Sequence, residues 1–315
     1  MPVGWYQQDY PADFDRVIRE MRALAELEVG QVMKGGTDYL GEFGLAPSAD
    51  DPNGPDAVVF RDASGTDLGR LEIGDERMSS GGYPDGTYVR MGDGPVWLVA
   101  TSLRRIPRTP REWVKTDIVS VYPTEIAEVQ VTPAKGDAYT LSKQGADGYT
   151  LDGLAEDEEV DATVGAKATR AIQRLEFTNI ADPSLSDAEM GFDEPSVYNA
   201  VTTEGLVYEA TLGGEADANN RYARFLVKPP VEVPELEAEE GEEEAPDASD
   251  TDRLAARAED ENARLTPWTY VIPKRHDGEL MVARQELIKK VEPPEPEEPE
   301  AEPTESETEA PDSAG

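Results

Sequence analysis

Near its start the chain repeats apolar residues at helical spacing. From Ala12 to Val29 the residues Phe14, Val17, Ile18, Met21, Leu24, Ala25 and Leu27 return every three or four positions, so one helix face is apolar. Asp13 after Pro11 supplies an N-cap or first-turn acid, and Gly30 supplies a stop. The pattern then changes period. Ala57–Arg61, Leu68–Ile73, Thr87–Met91 and Val96–Ala100 read as strands. Thr87-Tyr88-Val89-Arg90-Met91 alternates plainly, and Asp93-Gly94 before Pro95 marks a hairpin turn.

The same order returns at an offset of 148 residues, where Asp13 meets Asp161, Leu24 meets Ile172, Leu27 meets Leu175 and Val29 meets Phe177. Gly4-Trp5-Tyr6 lies over Gly148-Tyr149-Thr150 with a four-residue difference in the connection, and Glu42-Phe43-Gly44-Leu45 over Glu189-Met190-Gly191-Phe192. Strands at Val197–Thr202, Leu206–Leu212 and Ala223–Val227 follow. Chance likeness between two amphipathic helices is the rival explanation, but the shared order of features favours a repeat. The second copy has two further strands before its helix, Ile126–Thr132 and Ala138–Ser142, with Gly136-Asp137 at their turn. Nothing matches them ahead of Gly4. The expectation is that Met1 falls inside a repeat whose opening strands, with any anchor or signal before them, are absent from this chain.

Charge changes the picture at two places. The 315 residues carry 67 acidic and 29 basic side chains, a formal charge of −38. Residues 231–252 hold 11 acids and residues 293–315 hold 9, with no Lys or Arg in either stretch. Built of Glu, Pro, Ala, Ser and Thr, such sequence cannot bury enough apolar area to offset its ordering entropy, and disorder is expected. Solvated spacers are the commoner role of such segments; calcium binding, chaperone-like action and adaptation to salt are the others considered. The expected architecture is α+β, with two related units that each place an amphipathic helix on a mostly antiparallel sheet, plus disordered acidic segments. Residues 1–122 form the first unit. Residues 123–292 form the second, with an acidic disordered insertion at about 230–264, and 293–315 form a disordered tail. Leu254 to Leu265 could make a short charged helix inside the insertion, after which Trp268–Ile272, Glu279–Ala283 and Gln285–Lys290 complete the unit.

Composition also excludes classes of chemistry. With no Cys there is no disulfide, iron–sulfur cluster, thiolate zinc site or Cys nucleophile. One His leaves little room for His-based metal sites. The acidic balance argues against binding nucleic acid or an anionic membrane surface. No run reaches the ~18–20 apolar residues that cross a bilayer, and no signal peptide is visible.

Several of these segments resemble one bacterial family. Gly4-Trp5-Tyr6, Asp9-Tyr10-Pro11-Ala12-Asp13-Phe14 and Leu24-Ala25-Glu26-Leu27 look like its helical unit. Tyr39 through Gly44-Leu45, Leu71-Glu72-Ile73-Gly74 and Thr87-Tyr88-Val89-Arg90 resemble the strands that follow. The family is the domain of unknown function 4340 group, and the resemblance covers roughly residues 4–228, resuming near Trp268–Lys290. It implies a domain outside the cytoplasm, tethered by an N-terminal transmembrane helix and accompanying gliding-motility-type ABC-transporter components. The acidic insertion and tail depart from the pattern, as does the lack of an anchor. The family brings no catalytic residues.

The search for chemistry yields no catalytic, cofactor-binding or metal-binding assignment. His276, in Pro273-Lys274-Arg275-His276-Asp277-Gly278, has turn composition and reads as a solvated loop His between strands Thr269–Ile272 and Glu279–Ala283. No Gly-x-Ser-x-Gly elbow, Ser-x-x-Lys or Walker A loop is present, and Gly35-Gly36 with Gly41 and Gly44 lacks dinucleotide-binding spacing. Asp51-Pro-Asn53-Gly54-Pro-Asp56 lacks a calcium-loop register, and Asp217-x-Asn219 reads as a turn. Trp5, Trp97, Trp113 and Trp268 could line a groove, though core packing is commoner. The basic stretch Leu103–Arg111 could meet an acidic partner or the protein's own tail. The expected function is therefore a non-enzymatic, extracytoplasmic accessory subunit of a gliding-type ABC system, in contact with its membrane and ATPase subunits. A soluble peptide- or glycan-binding module using exposed aromatics is the alternative, and a carboxylate-dependent hydrolase the third.

Overall fold

The computed structural model describes residues 10–33, 37–47, 55–103, 106–107, 109–145, 148–231 and 248–291. Helix α1 (Phe14–Ala25) starts where Asp13 accepts the Arg16 N–H at 3.2 Å. It ends four residues short of the expected Val29, because the β-branched Val29 and Val32 belong to a strand. That strand, β1 (Val29–Val32), joins β2 (Asp56–Arg61), β3 (Asp67–Met78), β4 (Pro84–Met91) and β5 (Val96–Val99). They form an antiparallel sheet in the order β1-β5-β4-β3-β2.

The second unit opens with β6 (Asp117–Val119), β7 (Ile126–Thr132), β8 (Tyr139–Gln144), β9 (Gly148–Leu151) and β10 (Glu158–Val160). Helix α2 (Ala162–Thr169) follows, capped by the Asp161 carboxylate on the N–H groups of Thr163 and Val164. Next come β11 (Leu175–Glu176), β12 (Asn179–Ile180), β13 (Ser196–Thr202), β14 (Val207–Glu215) and β15 (Asn220–Lys228). Helix α3 (Ala248–Leu265), β16 (Tyr270–Pro273), α4 (Asp277–Leu280) and β17 (Ile288–Lys290) complete it. The main sheet has eight strands in the order β12-β16-β15-β14-β13-β7-β8-β9, while β10 pairs β17 and β6 pairs β11.

The two sheets share a five-strand plan: β1-β5-β4-β3-β2 in one is β12-β16-β15-β14-β13 in the other. Registers agree as well. Gln31 lies opposite Leu98 and Val32 opposite Trp97, while Asn179 lies opposite Val271 and Ile180 opposite Tyr270; on the β1 side the matched residues are 148 apart, and on the β5 side 173. A shared elbow precedes the hairpin in both. Gly44 and Gly191 both hold positive φ, at 67° and 73°, a region where other residues are strained. The amides one residue on, Leu45 and Phe192, each reach back five residues, to the carbonyls of Leu40 and Asp187. Each elbow lies so close to the following strand that a Cβ on Gly74 or Gly213 would collide with the carbonyl of Phe43 or Met190. The protein is thus an α+β fold of two related units on mostly antiparallel sheets.

The cores are unequal. The second unit buries Tyr198, Phe177, Leu212, Tyr270 and many others in one cluster, whereas the first gathers Leu71, Ile73, Val89, Val99 and Leu103. Val114, Ile118, Val119 and Val121 belong to the second core although they precede residue 123. Tyr10, from the opposite end of the first unit, sits there too, with its ring centroid 5.1 Å from those of Phe177 and Trp268.

Two local expectations need correction. The expected helix from Leu254 to Leu265 is present but begins earlier, as α3, so residues 248–264 of the expected disordered insertion are helical, with Leu254, Ala258 and Leu265 buried. Asn262 ties α3 to β15, accepting the Val227 N–H and donating to its carbonyl, both at 2.7 Å. Residues 232–247 and the tail 293–315 lie outside the described residues. The hairpin expected at Asp277-Gly278 is instead the start of α4, and Glu279–Ala283 is not a strand, because Leu280 and Val282 turn into the core.

Candidate functional site

His276 is not a solvated loop residue. Its side chain is buried, with Nε2 lacking a hydrogen-bond partner. Burial holds its pKa below the usual histidine value; the charge of Arg275 acts the same way, while Glu176 and Asp277 oppose it. Beside it, Arg221 pairs with Asp277 at 3.1 Å and donates to the Gly213 carbonyl at 2.5 Å. The group is a polar joint between β14, β15 and α4.

The other residues singled out by sequence fall into structural roles. Asp217 is a turn residue: its carboxylate accepts from the backbone of Asn219 and Asn220 and from the Asn220 amide, and these bonds lower its pKa. Gly35, Gly36, the run Asp51–Gly54, Trp5, Arg104, Arg105 and Arg108 lie outside the described residues. From the basic stretch, Leu103 is buried in the first core and Arg111 donates to the Phe177 carbonyl at 3.5 Å. Trp268 packs on the second core. Among the described residues, every carboxylate with a shifted pKa is shifted downward: Asp62, Asp85, Asp182, Asp187, Glu189 and Asp217. Among the described residues no three His, Asp or Glu side chains converge as a metal site.

The notable opening is apolar. Between α1 and the face of the first sheet lies a pocket of about 380 Å³, lined chiefly by Met21 and Leu24 of α1 and by Phe60, Leu71, Val89 and Trp97 of the strands. No ionisable side chain lines it. It exists because α1 is amphipathic yet poorly seated: no residue of α1 is buried, and Phe14 at its start is 65% exposed. Helix α2 differs. It buries Gly165, Ala168 and Thr169, with Gly165 close against the Tyr149 ring, and packs on β7 and β9.

Beside the pocket runs β2. Its one strand neighbour among the described residues is β3. The matching strand β13 is paired on its other side by β7, Tyr198 lying opposite Val131 and Ala200 opposite Val129. With Gly74 set on Gly213, Asp56 opposite Ile73 matches Ser196 opposite Leu212, and Val58 stands where the second unit has Tyr198. Among the described residues the first unit therefore combines a strand with one sheet neighbour, an apolar pocket and an incompletely covered helix. Sequence reasoning missed this surface because none of its residues bears reactive chemistry.

Compared with known proteins, the chain matches the family model for a domain of unknown function, DUF4340, over residues 6–195, from ahead of α1 to the residue before β13. No curated protein and no solved structure matches it.

Proposed function

This chain belongs to the DUF4340 family, and from that membership we propose that it is a non-catalytic accessory subunit of a gliding-type ABC transport system. It stands on the extracytoplasmic side, held to the membrane by an N-terminal segment, and acts through protein contacts with the membrane and ATPase subunits. The observation that carries this reading is the unequal finish of the two units. The second seats its helix and pairs β13 on both sides, whereas the first leaves an apolar pocket beside β2, whose one strand neighbour among the described residues is β3. Backbone hydrogen bonding along an edge with apolar side-chain pockets beside it is how proteins receive polypeptide. No helix among the described residues is long and apolar enough to cross a membrane, so the tether is assigned elsewhere.

A second reading, a soluble peptide-binding module, draws on the same surface because Trp97 and Phe60 supply aromatic walls beside the strand edge. Affinity capture of the native, chromosomally tagged protein from detergent-solubilised membranes separates the two. Co-purification of ABC ATPase and permease subunits is expected. A protein that fractionates as soluble and brings neither subunit with it overturns the accessory reading in favour of the binding module.

A further inference from the structure

We propose that the apolar pocket between α1 and the first sheet receives a basic amphipathic helix of a partner protein, seated as α3 is seated on the second unit. The proposal rests on the reading of the first unit as a polypeptide-receiving surface and names the class of polypeptide.

The pocket lies on the face that α3 covers in the other copy. Register sets the correspondence. Leu71 opposite Met91 matches Ala210 opposite Phe225, and Val89 opposite Trp97 matches Ala223 opposite Tyr270. Phe60 opposite Gly69 matches Ala200 opposite Tyr208. Phe60, Leu71, Val89, Met91 and Trp97 line the pocket. Their counterparts Ala200, Ala210, Ala223, Phe225 and Tyr270 belong to one buried cluster with Leu254, Ala258 and Leu265 of α3. Polar contacts mark the same seat. The Tyr208 hydroxyl donates to Glu261 at 3.0 Å and accepts from Arg257 at 3.1 Å, and the Tyr270 hydroxyl donates to the Arg264 carbonyl at 3.4 Å.

Helix α3 is an addition to the shared five-strand plan. It is inserted between β15 and β16, whereas Gly92–Pro95 alone joins β4 to β5, in a turn where the Gly94 N–H meets the Met91 carbonyl at 3.0 Å. The matching place in the first unit therefore supplies no helix of its own. Gly69 stands where the second unit has Tyr208, and a Cβ added there would meet only the Met91 methyl, at 3.9 Å. At about 380 Å³ the pocket holds more than one side chain, since an apolar cavity of ~150 Å³ already takes a benzene ring. A helix laying its apolar stripe into a groove fills such a space.

Charge selects the helix. On the second unit Glu204, in the turn between β13 and β14, pairs with Arg253 at 3.7 Å and Arg257 at 3.2 Å, both from α3. The first unit builds the same turn between β2 and β3. Gly65 and Gly205 hold φ of 85° and 93° and donate to the carbonyls of Asp62 and Thr202. Asp62 places a carboxylate on this turn, kept ionised by hydrogen bonds from Ser64 and Thr66. A Lys or Arg flanking the apolar stripe would find in Asp62 what Arg253 and Arg257 find in Glu204.

The probe is a fluorescein-labelled peptide of residues 248–266 carrying Asp252→Lys, Glu259→Lys and Asp260→Lys, which keeps Leu254, Ala258 and Leu265 and makes the helix basic. With the full chain, fluorescence anisotropy should show saturable binding, and hydrogen exchange should slow in α1 and β4. Ala25→Trp fills the pocket from an exposed position on α1 and should weaken binding about tenfold or more. A peptide that also carries Leu254→Asp and Leu265→Asp should lose as much. Asp62→Asn keeps the turn's acceptor oxygen and should weaken binding about threefold, a difference that high salt erases. Absence of binding overturns the proposal, as does binding indifferent to Ala25→Trp and to the peptide's leucines. Protection that falls on β14 and β15 overturns it too, because the peptide would then be replacing α3 at its own seat. Uptake of the neutral dye N-phenyl-1-naphthylamine without peptide binding overturns the helix in favour of a small hydrocarbon ligand. Purified protein and synthetic peptide suffice, so failure here is separable from failure of the membrane capture.

Discussion

Tyr198 donates its hydroxyl to the carbonyl oxygen of Ala168 at 2.9 Å, joining the middle of β13 to the last turn of α2 with both residues out of water. Burial pushes the phenol far above its usual pKa, so it remains a donor at any working pH. The Ala168 carbonyl also takes an N–H from Arg170, so Tyr198→Phe should lower stability by only about 1 kcal/mol. Tyr198→Ala should cost about 3–5 kcal/mol, because a large cavity opens in a filled core. Val58→Ala, at the matching place in the unfilled unit, should cost about 1 kcal/mol. Urea unfolding of the three variants checks the contrast.

His276 makes a prediction about pH. Its folded pKa lies below its unfolded value of ~6.5, so the folded protein favours the neutral ring. As pH falls through ~6.5 the unfolded chain takes up a proton that the folded one resists, and stability declines until the folded pKa is passed. His276→Gln should flatten the melting-temperature profile in that window. Since this is the one His in the chain, its ring-proton NMR titration reads the shift directly; a midpoint at or above ~6.5 contradicts the assignment.

Gly74 and Gly213 test the paired elbows. Gly74→Ala and Gly213→Ala each push a methyl group into a backbone carbonyl and should each cost about 1–3 kcal/mol. Gly69→Ala, whose nearest neighbour is the Met91 methyl at 3.9 Å, should stay within about 0.5 kcal/mol of the parent. Similar losses at the two elbows, measured by chemical denaturation, are expected of a duplicated device.

Asn262 holds α3 through two backbone groups of the buried Val227. Asn262→Ala strands both and should lower stability by about 2–3 kcal/mol. It should also raise proteolysis within α3 before the rest of the fold is cut. Equal resistance of variant and parent to limited proteolysis counts against the role.

Strands were legible wherever one face was buried, because alternation reports that burial: Thr87–Met91 and Ile126–Thr132 fall within or coincide with observed strands. The repeat was legible because cap, helix and elbow are each local in sequence. What sequence hid was set at long range. His276 is buried where its segment meets residues distant in sequence, with Arg221 pairing the adjacent Asp277, and nothing in its turn-like neighbourhood announces this. In α3 the helix itself was legible at Leu254–Leu265, but its docking on β15 through Asn262 is a long-range contact that no local pattern announces. The pocket of the first unit was hidden for a different reason. Its lining is apolar throughout, so no residue there carries a reactive signature.

Tyr10 gives the molecule a mechanical order. Four residues ahead of the first helix, it is caged by Phe177, Trp268 and Tyr270, so the polypeptide passes through the second unit before it builds the first. A pull applied from the N-terminal side would load that aromatic cage before α1 or the five-stranded sheet. The smaller unit would then hang between Tyr10 and the segment around Val114, shielded from tension until the larger one gives way.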